Sequence, residues 1–446
     1  MKLINQALLQ FEKVDWRNDP ELGLIDLILT QNPHLIKLLS DDITQGQAPS
    51  VLGRQDSPSV DQVVRAGIFK EFKKLNYRDL DYMQRDSYVC KAFLKLDGRK
   101  SYSFQVWNKY ISRISAEKLT ELLFEINKIA IKEGIEDLDK IRMDTTVVES
   151  NIHAPTNNSL VWDCIKESHR LLAQLAEQEG IKHINYSKGA KKNFFAINNS
   201  KADKRTTLFV KQLKLLTKTI NQVSRFAKKK DYCTEIKTAK GLVLCAQLDE
   251  LLPLLDQVYQ MTYQWEVLGE KVSNDQKVFS IYEQHTDIIV KGRKSEFGHK
   301  VLLSDSKSGL ILGCEVLKGN PSDSTLFNPT LSSITDTYGK IPRSVAADGG
   351  FAAHKNLDNS LVNVVFNKVT PRMRNRASSK NMETRLRKWR SGIEASISNL
   401  KRGFNIGRCS WKGWKGFCSK VMWSVIGYNF RVLSQHVMAR VELIQG

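Results

Sequence analysis

Three carboxylates in separate, strongly patterned contexts carry most of the chemistry open to this chain. Asp144 stands within Ile141-Arg142-Met143-Asp144-Thr145-Thr146-Val147-Val148, and Asp348 closes Ser344-Val345-Ala346-Ala347-Asp348-Gly349-Gly350. Glu394 follows Trp389-Arg390-Ser391-Gly392-Ile393. The first two sit in or at the end of short apolar, β-branched runs, the pattern of buried strands. The third sits on a stretch with helical spacing. Two strand carboxylates and one helix carboxylate that converge make an all-oxygen site, which suits Mg²⁺ or Mn²⁺ rather than zinc. Two ions so held drive in-line phosphoryl transfer by clamping the attacking and leaving oxygens. In that arrangement Asp144, held rigidly by a central strand, bridges the ions; Asp348 binds one and Glu394 completes the other.

The surroundings of Glu394 add a second pattern. Arg390 precedes it by four residues and Lys401 follows it by seven, so all three share one helix face. The bland alternative is a surface ion pair between Arg390 and Glu394, worth under about 1 kcal/mol. Asp348-Gly349, taken alone, reads equally well as a turn. The run of β-branched residues after Asp144 argues against such a reading there.

With the block from Asp144 to Thr156, His285-Thr286-Asp287, and Asn399-Leu400-Lys401-Arg402-Gly403-Phe404, the chain resembles the DDE transposases of bacterial insertion sequences from about Val51 to His436. That family shows Tyr, two residues, Arg, three residues, Glu, six residues, Lys. Arg390, Glu394 and Lys401 stand at those spacings, while Arg387 stands in the place of the tyrosine. The resemblance implies a fold of class α+β or α/β: an RNase H-like mixed sheet flanked by helices, with an all-α N-terminal domain and a helical insertion in the core. It implies Asp144, Asp348 and Glu394 as catalytic residues and ligands of two Mg²⁺ or Mn²⁺ ions, with DNA contact from Arg390, Lys401 and Arg402. It further implies binding to terminal inverted repeats, strand cleavage, and joining of the freed 3′-hydroxyl to target DNA. The partners are then double-stranded DNA, as transposon ends and target, and a second copy of the chain in the synaptic complex. Two rivals share much of this pattern: an RNase H-like nuclease that does not integrate, and a non-catalytic DNA-binding protein derived from a transposase. The intact acidic triad argues against the second. A helical scaffold with basic faces would explain the charge but not the strand-embedded aspartates.

Charge distribution agrees with a nucleic-acid partner. The net charge is +20. Residues 371–420 carry +12 and residues 182–230 carry +13, which leaves the rest of the chain at −5. Two concentrated basic zones on an otherwise mildly acidic chain are the footprint of nucleic-acid contact. The second zone contains Lys191, Lys192, Lys204 and Arg205, in segments rich in Asn, Gly and Ser that read as a basic loop tracking DNA. No apolar run approaches the roughly 20 residues of a membrane span. Acidic and polar residues come early in the chain, so a signal-peptide core is not expected. The expected location is the cytoplasm of a bacterium, associated with the nucleoid. The seven cysteines form no C-x-x-C pair, which argues against a zinc ribbon or disulfide framework.

The elements that must position the carboxylates follow. Residues 1–135 read as the helical N-terminal domain, helix-turn-helix-like at about 57–114. Ser59 with Gln62 forms a capping box, one helix spans 77–96, and a third spans 104–114. Lys109 and Arg113, with Gln105 and Asn108, face outward on that third helix, toward a DNA groove. The catalytic core covers 138–164 and 276–436, interrupted by a mainly helical basic insertion at 165–275, and 437–446 is a tail. Within the insertion a helix at 242–263 is expected to kink or break at Pro253. Strands are expected at 278–282, 288–291, 299–304, 310–316 and 362–366, the third and fourth joined as a hairpin at Ser306-Lys307-Ser308-Gly309. His153 reads as a loop-stabilising residue, since no second histidine accompanies it. Trp411 and Trp414, among Lys412, Lys415 and Lys420, could stack bases or cap the core.

Overall fold

The computed structural model describes residues 16–47, 57–96, 100–227, 236–291 and 294–445. Two compact units divide the chain: Met1–Ser150 with Lys291–Gly446, and Asn151–Val290. The described strands are β1 (Lys140–Ser150), β2 (Asp287–Lys291), β3 (Lys294–Ser306), β4 (Ile311–Val316), β5 (Ser344–Ala347), β6 (Asn363–Phe366) and β7 (Arg408–Cys409).

In the first unit β1 is the central strand. It pairs antiparallel with β3 on one side and parallel with β5 on the other, and β6 continues the parallel side. β4 folds back on β3 as the expected hairpin, and β7 lies parallel to the last two residues of β1. This is the strand order of an RNase H-like sheet. Ile141, Met143, Leu302, Val345, Val364 and Phe366 bury one cluster of apolar side chains from the sheet, with Phe327 from helix Asp323–Tyr338 laid over them. At Gly298 β3 lies close against β1: a Cβ there would stand 2.0 Å from the Val148 carbonyl oxygen. Backbone cannot move aside as a side chain can, so Gly298→Ala is expected to cost more than about 2 kcal/mol. Equal denaturant midpoints for the variant and the wild type would refute this.

The N-terminal helices belong to the same unit as the sheet. Helix Val60–Phe72, opened by the expected Ser59–Gln62 capping box, is buried along its whole length. Gly67 lets it lie against Trp423 of the long last helix, Gly413–Gln445: a Cβ at Gly67 would be 2.4 Å from that ring. Arg65, inside this helix, is held by Asp61 at 2.7 Å and Asp26 at 2.6 Å. The expected helix 77–96 is two helices, Tyr77–Asp86 and Tyr88–Phe93. Ser87 breaks it by adopting an extended backbone and accepting the Cys90 N–H on its hydroxyl. The third helix stops at Ile111.

The second unit packs the helices Asn157–Glu179, Ser187–Asn198, Ala202–Ala227 and Ala239–Tyr263 around Leu172, Leu175, Leu216, Leu248, Leu255 and Val258. Three expectations are corrected here. The basic loop is helical: Lys191 and Lys192 lie within Ser187–Asn198, and Lys204 and Arg205 lie in the first turn of Ala202–Ala227. Burial of Ala190 and Ile197, and a hydrogen bond from Gln212 to the Ala190 carbonyl, outweigh the weak local propensity. Pro253 does not end its helix, which runs through to Tyr263. Residues 278–282 form no strand. The Ser280 hydroxyl accepts the N–H groups of Tyr282 and Glu283, a local turn that competes with a ladder. Val278 and Ile281 then join the helical core three residues apart rather than in alternation. Among the described residues no helix is long and apolar enough to cross a membrane, and the described cysteines are free, with Cys90, Cys164, Cys245 and Cys409 buried.

Candidate active site

Asp144 sits in the middle of β1, and the parallel register that sets Met143 against Ala347 brings Asp348, the next residue after β5, alongside it. Asp348 begins a short 3-10 turn, Gly349–Phe351. The two glycines are needed there because neighbours crowd them. A Cβ at Gly349 would meet Lys368 at 3.0 Å, and one at Gly350 would meet the Asp323 carboxylate at 2.8 Å. Neither glycine has a positive φ, so close approach rather than backbone freedom explains them.

The third carboxylate arrives on a helix with a joint in it. Helix Lys380–Arg390 ends, Ser391 intervenes, and helix Gly392–Gly403 begins, so Arg390 and Glu394 straddle the joint rather than share one uninterrupted helix as expected. They still touch: Arg390 Nη1 donates to Glu394 Oε1 at 3.1 Å. Arg390 is not the surface residue that its spacing alone allowed. It is buried, and its Nη2 lies 3.3 Å from Asp144 Oδ2 and 3.5 Å from Asp348 Oδ1. One guanidinium therefore faces all three acidic residues. Glu394 remains 63 % exposed and Asp348 46 % exposed, whereas Asp144 is 16 % exposed.

Asp144 is the group whose chemistry this environment changes most. Burial pushes its carboxyl up to about 6, and the neighbouring Asp348 and Asp323 push the same way. The Thr145 N–H, donating to Asp144 Oδ1 at 2.7 Å, and Arg390 oppose the rise without cancelling it. The site is thus short of positive charge at its centre. Its hard oxygen donors suit Mg²⁺ or Mn²⁺, and two of them already converge on a single cationic nitrogen. The residues fit a divalent ion in type and charge. As they stand, no three acidic, His or Cys side chains among the described residues are close enough to enclose one; Arg390 lies among them instead.

Asp323 and the Arg142–Asp305 pair border this centre. Asp323, at the start of helix Asp323–Tyr338, takes a 3.0 Å ion pair from Lys300 of β3 and lies 3.4 Å from the Thr145 hydroxyl. Arg142, on the same face of β1 as Asp144, grips both oxygens of Asp305 at 2.7 Å. Asp323 follows Pro321-Ser322 as any helix-starting acid does, and nothing in its context marks its neighbours.

The other expected contact residues lie elsewhere. Lys401 and Arg402 are on the Glu394 helix, about two turns beyond it. Arg387, in the place of the family tyrosine, pairs with Glu383 of its own helix at 2.6 Å. Lys109 is exposed on helix Phe104–Ile111, and Arg113 falls in the turn after it, donating to the Ile43 carbonyl at 3.0 Å. Lys191, Lys192, Lys204 and Arg205 belong to the second unit, where Arg205 approaches Glu266 at 3.9 Å. His153 is 3.3 Å from Asp163 in that unit, as a loop-holding pair.

A central strand with an antiparallel hairpin on one side, parallel strands on the other, and acidic residues at two adjacent strands and a packed helix defines an RNase H-like core. Residues 272–430 match the family described as the transposase DDE domain, so this stretch is similar to the DDE transposases. The matched stretch includes Asp348, Arg390 and Glu394; Asp144 lies before it. No curated protein and no solved structure matches the chain.

Proposed function

We propose that this protein is the transposase of a bacterial insertion sequence: it binds the element's terminal inverted repeats, cleaves the DNA strand there, and joins the freed 3′-hydroxyl to target DNA. The convergence of Asp144, Asp348 and Glu394 on the buried Arg390 carries this reading. Bound divalent ions would supply activation of the attacking oxygen and stabilisation of the leaving one. Asp144 and Asp348 would hold the first ion, and Asp144 with Glu394 the second. Asp144 is fixed by its ladder bonds and so sets the position of the rest. Arg390 holds the carboxylates in a common orientation and neutralises part of their charge. Because water and a 3′-hydroxyl are chemically similar attackers, one such site can serve both steps. Lys401 and Arg402 would contact the strand backbone, and Lys109, Arg113 and the basic helices of the second unit would supply further phosphate contacts. Two copies of the chain act together when two ends are paired.

The test is strand cleavage of a plasmid carrying the DNA that flanks the gene, in Mg²⁺ or Mn²⁺, with Asp348→Asn and Glu394→Gln beside the wild type. Expected is nicking at the element ends, reduced at least about 1,000-fold in either variant, with DNA binding retained. Cleavage without joining would leave a nuclease. Wild-type binding without cleavage would remove the catalytic role, and full activity in Glu394→Gln would mean that another residue is the third ligand.

A further inference from the structure

A charged cavity lies in the first unit, away from Asp144, Asp348 and Glu394. It holds about 780 Å³, and among the residues that line it are Lys74, Lys412 and Trp411, with Lys70, Glu71 and Lys420 at its inner end. The inner cluster is unusual. Lys70 and Lys420 are both almost fully buried, and both bond the one carboxylate of Glu71, at 2.7 Å to each oxygen. Two ammonium groups and one carboxylate leave one positive charge in excess in a nearly dry place. Lys420 has further bonds to Ser424 Oγ and the Phe404 carbonyl, and Lys70 lies over the rings of Tyr77 and Trp411, but none of these partners is an anion. Burial above all, and then the neighbouring Lys420, depress the Lys70 ammonium against the pull of Glu71. An excess charge of this kind is costly unless an anion completes it.

The walls are mainly basic, with Lys74, Arg408 and Lys412 against the one further carboxylate of Asp79. Lys74 and Lys412 are exposed at the mouth, and no hydrogen bond or ion pair among the described residues engages either ammonium. Arg408, in β7, also lines the cavity, and β7 pairs with β1 at Glu149. Glu149 is five residues beyond Asp144, about 17 Å along the strand. Duplex DNA advances about 3.4 Å per nucleotide along each strand. A duplex laid along β1 with its scissile bond at Asp144 would come level with the cavity about five nucleotides away. The volume suits a nucleotide-sized group rather than a single small anion.

We propose that this cavity seats a backbone phosphate of duplex DNA about five nucleotides from the bond at Asp144, gripped by Lys74 and Lys412 over the Lys70–Glu71–Lys420 cluster. The contact fixes the register of the duplex without reading its sequence. The proposal rests on the transposase reading above and adds to it a place on the protein and a distance along the DNA.

The test is binding of a fluorescent duplex of about 30 base pairs to the full chain in EDTA, across a range of KCl concentrations. The variants are Lys74→Ala with Lys412→Ala, and, as a control that removes the same charge elsewhere, Lys118→Ala with Lys128→Ala. The buried lysines are left in place because their loss would unfold the protein. Lys74 has φ +58°, and alanine is no more strained there than lysine. The cavity variant is expected to lose about two units of the slope of log K against log salt, and the control none. An unchanged slope in the cavity variant, or an equal loss in the control, overturns the proposal. So does a result in which inorganic phosphate raises the thermal midpoint of the wild type alone while the DNA slope is unaffected, since the cavity would then take a free anion. Wild-type protein that fails to bind duplex at all overturns the transposase reading itself, a result plainly different from wild-type binding that the cavity variant shares.

Discussion

Asp144→Asn is expected to abolish strand cleavage and, in the absence of metal at neutral pH, to make the fold more stable. The loss of cleavage follows from its proposed place at the centre of the ion site. The gain in stability follows from its surroundings. Burial raises its carboxyl to about 6 in the folded chain, while an unfolded aspartate titrates near about 3.9. The folded state therefore holds this proton more tightly than the unfolded state. Stability contributed by the protonated form is complete below about pH 4 and is lost as the pH rises through about 6. Above that the wild type carries a penalty of about 3 kcal/mol, which a neutral amide of the same shape removes. Thermal midpoints of variant and wild type in EDTA are expected to coincide near pH 4 and to separate by several degrees above pH 6, with the variant higher. Identical midpoints at pH 7.5 would show that Arg390 already cancels the cost of burying the charge. The expected gain in stability on losing the carboxylate would be the usual trade between activity and stability.

The second large effect is expected away from the reacting atoms. Arg142 donates through Nε and Nη2 to Asp305, which is wholly buried, and through Nη1 to the Trp389 carbonyl at 3.0 Å. Its guanidinium also lies over the Trp389 ring. Ser396 adds a 2.8 Å bond to the same Asp305. Trp389 immediately precedes Arg390, and Ser396 follows Glu394 by two residues, so this buried pair ties both sides of the helix joint to β1 and β3. Gly392, at the joint, has no room for a side chain: a Cβ would stand 1.9 Å from Arg142 Nη1. Arg142→Ala strands a buried carboxylate and is expected to cost about 3–5 kcal/mol of stability. Gly392→Ala is expected to displace the joint and lower the cleavage rate about 100-fold, the scale of a 1 Å misplacement, with DNA affinity in EDTA unchanged. The two changes act through one contact, so their effects on cleavage should not add. If Gly392→Ala costs as much in the Arg142→Ala background as in the wild type, the tie is not what positions Glu394.

The strands that hold the acids were legible because their cues are local. A β-branched run around Asp144 and a small, apolar run before Asp348 are buried on both faces, and buried strands are spelled in that alphabet. The hairpin at Ser306–Gly309 and the cap at Ser59 were legible for the same reason, as a few adjacent residues settle each. What sequence spacing cannot show is depth. Arg390 four residues before Glu394 fits a solvent-exposed pair as well as a buried bridge, and only the packing of its helix against the sheet decides between them. Asp323 and Asp305 escaped because their partners, Lys300, Thr145 and Arg142, come from other elements. The basic stretch around Lys191 misled for the opposite reason: its local composition favours a loop, and contacts with the helix that follows make it helical.

The long last helix has a temporal consequence. Its Lys420 bonds Glu71 across 349 residues, and its Asn429 bonds Asn127 across 302. Those bonds lie in the core that also holds the helix before β1. During synthesis Asp144 leaves the ribosome long before Glu394, and the apolar face of helix Val60–Phe72 waits for Trp423 to cover it. Contacts so distant in sequence form late and slowly. A chain released early would carry the first aspartate, but neither the third carboxylate nor the helix that closes the core. The three carboxylates therefore come together only with the last stretch of translation, so that truncated products lack the complete site.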